Sequence, residues 1–401
     1  MDLIQRDTVT SYLKTIELVL IAGLLFVLPF TGLTTIKEVL FFLLMLSFAA
    51  ERLLGHKKVN KISLPDKSLL FFIIASFIWA LISLVTAIDL HYSLSEIITK
   101  MSKQFLLFFL SYLIVKEVPL NKVKWLFFSI LASVTIMSVY ACYQFYESPL
   151  FFTNRVQGFT GAFYRLATFI VLSIPVVIVL AFSLHGWLKR IILVLLPILF
   201  AALFFTFTRG AWIAAIIEIL TLTVIFSIKY RKLFFLSVAA ALLIVTGLSY
   251  KSVIPQKLIT RGSEKPRIEA VKLSSEIIRK YPLTGIGYGK QTFSKYYPDT
   301  YVKHSHNIFI NTAVETGLIG LMIFTAILSI IFKNFTHAIR DETVLDRRLL
   351  LSGIFASFIG FISLNVFDYM YHGWPGQMFW MFIGIGYALI RPDSETGGLS
   401  S

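Results

Sequence analysis

Of the 401 residues 57% are hydrophobic and 15% charged, the formal net charge is +15, and Cys142 is the single cysteine. Uncharged apolar runs recur at about the twenty-residue length that crosses a bilayer, which excludes a soluble globular protein; one cysteine excludes an intramolecular disulfide and a cysteine-based metal site. The runs lack the roughly ten-residue alternation of a membrane barrel, and backbone groups in hydrocarbon must be satisfied within the segment, so the spans are helices.

The polar segment 1–14 precedes the first apolar run with no small-residue cleavage site after it, so that run is expected to be a retained span. Apolar windows predict about twelve spans, near residues 15–33, 36–50, 68–88, 104–115, 125–144, 164–184, 191–207, 211–228, 233–250, 308–332, 349–367 and 377–390. The fourth is short. The seventh and eighth are separated only by Thr208-Arg209-Gly210, which makes that pair a tight helical hairpin or a broken helix.

Orientation follows from the basic loops. With a cytoplasmic N-terminus, twenty lysines and arginines fall in the terminal segments and alternate connections, among them Arg52, Lys124, Arg190 and Arg340. The opposite short loops hold six: Lys37, Lys100, Lys103, Arg155, Arg165 and Arg209. Positive charge concentrates on the cytoplasmic side of membrane proteins, so both termini are expected there and residues 251–307 outside. The same rule accounts for much of the net charge without a nucleic-acid partner.

Residues 251–307 form the one long hydrophilic segment, with eleven basic residues against Glu264, Glu269, Glu276 and Asp299. Within it Ser263 or Glu264 is placed to cap a helix with Pro266 in its first turn, and Tyr281-Pro282 to end it. Ile268, Val271, Ile277 and Ile278 fall near one face, so the helix is expected along the membrane surface, leaving Arg267, Lys272 and Arg279 to anionic groups. Gly285, Gly287 and Gly289 lack the spacing of a dinucleotide fingerprint and read as a flexible turn. The chain is expected to be one membrane domain over 1–401, with this loop carrying much of the site.

Two readings stand for Arg209 at a membrane boundary: a snorkelling cation, or a planar bidentate ligand for a phosphate. His306 precedes Asn307 and the tenth span, where an imidazole suits a general base at neutral pH. His304 either assists it or caps the helix. The pair lacks the spacing of a zinc protease, so no metal or other cofactor is expected. Asp368, near Tyr369, Tyr371 and His372, is placed to hold an arginine or orient an acceptor, with interfacial aromatic packing an equal reading of the tyrosines.

At these residues the chain resembles the O-antigen ligase and polymerase family of bacterial envelope assembly. The matching segments are Thr208-Arg209-Gly210, Pro266-Arg267-Ile268-Glu269, Tyr281 to Gly289, and His304-Ser305-His306-Asn307 leading into Glu315-Thr316-Gly317-Leu318-Ile319-Gly320. One departure is Val271, where relatives often carry tryptophan. The resemblance implies an all-α polytopic integral membrane protein with a GT-C-like architecture and one long periplasmic loop. It implies an inverting, metal-independent glycosyltransferase of the bacterial inner membrane, whose donor is a glycan on undecaprenyl diphosphate. His306 would be catalytic, Arg209 and Arg267 would bind the donor diphosphate, and His304, Asn307, Asp368 and Arg261 would support them. A ligase passes the glycan to lipid A–core; a polymerase passes it to another lipid-linked repeat. A lipid-linked glycan transporter is the reading from a different class, against which stand the few charges within spans, the lack of a visible inverted repeat, and reactive residues gathered on one side.

Overall fold

The computed structural model describes residues 3–54, 65–147, 155–226 and 264–390. Helix is the regular structure of the described residues, which contain no strand. The first half of the bundle comprises α1 (Leu3–Val27), α2 (Thr34–Leu54), α3 (Lys67–Ile82), α4 (Leu90–Glu96), α5 (Ser102–Val115), α6 (Leu120–Glu147) and α7 (Phe163–Ser183). The second comprises α8 (Gly186–Phe205), α9 (Arg209–Phe226), α10 (Glu264–Lys280), α11 (Thr292–Tyr296), α12 (Ile308–Asp341), α13 (Leu345–Phe367) and α14 (Trp374–Leu389). Ten helical segments among the described residues are long and apolar enough to cross a membrane. The expected span at 233–250 lies outside the described residues.

Apolar residues all round α14 put it at the centre, as a helix without a polar face must be. Trp380 packs edge-on to Phe108 of α5 with ring centroids 5.8 Å apart, and Phe379 stacks on Phe361 of α13 at 4.5 Å. Helices α1 to α3 instead expose Phe42, Leu46 and Phe71, as a lipid-facing layer would. The short fourth span is longer than its hydropathy indicates. A π-helical turn at Ile97–Met101 joins α4 to α5, and the apolar segment runs from Leu90 to Val115. Glu96, Gln104 and Lys103, which hide it from a hydropathy window, are buried inside the bundle.

The linker 206–208 separates α8 from α9, with Phe207 in the left-handed region at φ 49°. Helix α9 then packs chiefly against α13 and touches α8 near the linker, where Trp212 stacks on Phe204 at 5.1 Å, so the pair is two helices diverging from a short linker. Helix α10 starts at Glu264 and ends before Tyr281 as expected. Its buried stripe differs: Ala270, Ser274 and Ile277 are inaccessible, whereas Ile268 and Val271 are exposed. The stripe joins Ile286, Phe293, Val302 and Val314 in a small core of its own. Protein contacts, not a membrane surface, choose the buried side of α10.

Helix α12 breaks at Gly317, whose φ of 72° and ψ of −177° are non-helical. The glycine-rich stretch fills the gap. Ile286 and Gly287 N–H groups donate to the Val314 and Glu315 carbonyls at 2.9 and 3.0 Å, and Leu318 N–H donates to Pro282 O at 2.8 Å. Trp79 Nε1 donates to Thr316 O at 2.8 Å, so the carbonyls freed by the break are satisfied. A Cβ on Gly317 would overlap the Leu283 carbonyl, and one on Gly285 would lie 2.5 Å from Val314 O. The expected flexible turn is therefore a packed one, because backbone sits against backbone where only glycine fits.

Candidate active site

Asn307 organises the site. As N-cap of α12 its side-chain oxygen accepts from the Phe309 and Ile310 N–H groups at 2.9 and 3.0 Å, satisfying two of the donors a helix start leaves open. Its Nδ2 donates to Val366 O at 3.0 Å, pinning the start of α12 to the last turn of α13. Asp368 follows that turn directly. The Asp368 Oδ1 consequently lies 3.6 Å from His306 Nδ1, slightly beyond hydrogen-bond reach but close enough to stabilise an imidazolium.

His306 sits at φ 53°, a region side chains rarely occupy. Its N–H donates to His304 Nδ1 at 3.2 Å and the two rings lie 4.0 Å apart. His304 is thus the acceptor of the His306 N–H, while Asn307 and not His304 caps the helix. Burial first, and the His306 ring next, push His304 down to about 3, keeping it neutral and able to accept. Desolvation works to raise the Asp368 carboxyl, but the His306 and His304 rings and the Tyr369 N–H outweigh it and hold the group below the usual carboxylate range.

A pH dependence follows from His304. An unfolded chain titrates this ring near 6.5, so as pH falls from there toward about 3 the unfolded state gains a proton that folded His304 refuses, and stability falls. Melting temperatures at about pH 7.5 and about pH 5 should therefore differ, and differ less in His304→Gln. An unchanged difference in that variant would assign the acid sensitivity elsewhere.

Behind the pair lies a buried network that the sequence did not single out. Glu315 Oε1 accepts from Asn311 Nδ2 at 2.5 Å and from Tyr369 OH at 2.9 Å, and His372 Nε2 lies 3.2 Å from both carboxylate oxygens. Ser305 N–H and Oγ donate to Asn311 Oδ1 at 3.3 and 3.1 Å, joining the histidine loop to this network. Tyr369 and His372 therefore serve polar anchoring as well as ring packing. An isolated glutamate two residues before a glycine, inside an apolar run, was the available signal.

The structure brings together His304, His306, Asn307 and Asp368. Arg209, the first residue of α9, is exposed, and its neighbour Gly210 packs on Phe367, the residue before Asp368: a Cβ on Gly210 would lie 2.9 Å from the Phe367 Cβ. Arg267 is exposed on α10 and is not brought into contact with the histidine pair. Arg261 lies outside the described residues. His304, His306 and Asp368 offer three ligand-type atoms within 4.8 Å of one another, a grouping invisible in the spacing. Their contacts serve ring orientation, with His304 Nδ1 taken by the His306 N–H and Asp368 Oδ1 accepting from Tyr369 N–H at 2.8 Å.

Residues 191–325 match the O-antigen ligase family model. The match spans about a third of the chain and is consistent with the O-antigen ligase and polymerase resemblance. It takes in Arg209, Arg267, His304, His306, Asn307 and Glu315, while Asp368 and His372 lie beyond it. No curated protein matches the chain.

Proposed function

We propose that this protein is an inverting O-antigen ligase of the bacterial inner membrane, moving a glycan from undecaprenyl diphosphate to a sugar hydroxyl of lipid A–core. The observation that supports it most is the His306–Asp368 pair at the start of α12, beside Arg209. His306 Nε2 takes the proton of the acceptor hydroxyl while Asp368 stabilises the imidazolium. The acceptor oxygen bonds to the anomeric carbon from the face opposite the diphosphate, the carbon–phosphate-oxygen bond breaks, and undecaprenyl diphosphate leaves. A diphosphate held by guanidinium groups departs as a stabilised anion, so no carboxylate pair of the glycosidase type is needed. Arg209 and Arg267 have no acidic partner among the described residues and suit that role by their bidentate geometry. Both termini are cytoplasmic in this reading, and the site faces the periplasm.

The test is reconstitution of the purified protein with undecaprenyl-diphosphate glycan and lipid A–core, without nucleotide or added metal. Transfer to the core identifies a ligase, longer lipid-linked chains a polymerase, and movement without new bonds a transporter. Transfer should survive EDTA; loss restored by a divalent cation would make the histidines and Asp368 a metal site.

Arg209→Lys keeps the charge and loses the fork. Losing a charge-assisted contact from a partly desolvated site costs roughly 1.5–3 kcal/mol, so donor affinity should fall by about tenfold or more in Arg209→Lys and in Arg267→Lys. Undiminished affinity removes that arginine from the clamp. For topology, a reporter active only outside the membrane should work when fused near Lys295 and fail near Arg340. The reverse pattern would put the site in the cytoplasm and sink the lipid-donor argument.

A further inference from the structure

Four of the six basic residues that the charge-bias argument leaves on the minority side, Lys37, Lys100, Lys103 and Arg165, return in the structure at the starts of α2 and α7, in the π-helical turn and at the start of α5. Lys37 is fully buried. Its Nζ donates to Phe30 O at 2.5 Å and lies 3.0 Å from the centroid of the Trp374 ring. Arg165 stands 6.0 Å from the same centroid, with only a 3.5 Å hydrogen bond to Thr160 O. Lys290, from the glycine-rich segment, reaches within 6.0 Å of the ring of Tyr164, the neighbour of Arg165. Burial lowers the pKa of its ammonium, with Asp368 and Glu315 working against that shift and Arg165 and Lys100 adding to it.

The nearby carboxylates are already engaged. Glu38 pairs with Lys103 at 2.6 Å, Glu96 with Lys100 at 2.5 Å, and Asp368 with His306. Lys37, Arg165 and Lys290 have no ion-pair partner among the described residues. An ammonium has three donors and Lys37 uses one on a carbonyl, so mutually repelling cations are held together with unfilled donors, near Asp368, Glu315 and Glu38 but in direct ion-pair contact with none of them, an arrangement that costs stability unless a ligand compensates. Helix α7 adds an N-terminus without a side-chain cap, and the buried Thr31 Oγ1 beside Gly161 has no hydrogen-bond partner. Lys37 and Arg165 lie in the first turns of helices long and apolar enough to span a membrane, and the ends of such helices meet a bilayer near its headgroups.

We propose that Lys37, Arg165 and Lys290, gathered about Trp374 and Tyr164, bind the phosphate of a lipid substrate beside the His306–Asp368 pair. The assignment of that lipid as a substrate rests on the glycosyl-transfer reading; the anion site itself does not. Where that reading has two phosphate-bearing lipids meeting at His306, this gives a phosphate site separate from Arg209 and Arg267.

The test measures binding to the full chain in phosphatidylcholine nanodiscs, with undecaprenyl phosphate, phosphorylated lipid A–core, and inorganic phosphate as separate arms. Arg165→Gln and Lys290→Gln should each weaken one of the lipid arms by roughly tenfold or more, and Arg165→Lys should restore part of the loss. Lys333→Gln, near the far end of α12, is the charge control and should bind as the wild type does. Which lipid arm responds identifies the substrate. Unchanged lipid affinity in both glutamine variants overturns the proposal, as does inorganic phosphate binding as tightly as the lipids. Failure of glycan transfer in the wild type with variant-sensitive binding intact would overturn the glycosyl-transfer reading and leave the anion site standing.

Discussion

Replacing His306 by alanine is expected to lower glycan transfer by about 10²–10⁴-fold, the usual contribution of a positioned general base, while donor binding survives. Its position supports so large an effect. The ring faces Asp368 Oδ1 through Nδ1 at 3.6 Å and leaves Nε2 to the acceptor, and its backbone is held at φ 53° by His304. His304→Ala should cost much less if His304 serves through that backbone contact, as the proposed mechanism has it. The measurements are single-turnover transfer and donor affinity on the same preparations. Should His306→Ala abolish donor binding while bound donor still turns over, His306 is a phosphate ligand and Asp368 becomes the first candidate base.

The second large effect is on folding. Gly317→Ala should destabilise the protein by about 3 kcal/mol or more, since its backbone region is essentially closed to side chains and the added methyl meets a backbone carbonyl that cannot move alone. The damage should spread from there. Gly287 N–H is bonded to the carbonyl of Glu315, so moving the break moves both the glycine-rich segment and the carboxylate that holds Tyr369 and His372. Thermal unfolding in detergent and transfer activity should therefore fall together, and Gly285→Ala should behave alike. A Gly317→Ala protein that melts like the wild type would mean that α12 does not break there.

Much of this was legible in the chain because membrane burial is written in composition. A helix in hydrocarbon must be apolar for its whole length, so most described spans fall within a few residues of their windows. The exception, the segment from Leu90 to Val115, failed for the same reason. Its polar residues are buried in protein, where hydropathy misreads them. His304, His306, Asn307 and Asp368 were legible as reactive types at span boundaries, and Arg209 as a cation where one needs a reason.

The helical membrane class, the order of most described spans and the reactive residue types near their ends follow from composition and local pattern. Which of those residues meet depends on packing. Asp368 reaches His306 across a separation of sixty-two residues because Asn307 ties α12 to Val366, and Glu315 becomes a polar anchor because α13 returns Tyr369 and His372 to it. Lys37, Arg165 and Lys290 come together from α2, α7 and the glycine-rich segment, where a count of loop charges sees only scattered exceptions. The physical reason is range: hydropathy, caps and prolines act within a few residues, whereas a site's hydrogen bonds and charge–charge contacts act over a few ångströms between residues far apart in the chain, and helix packing alone sets those distances.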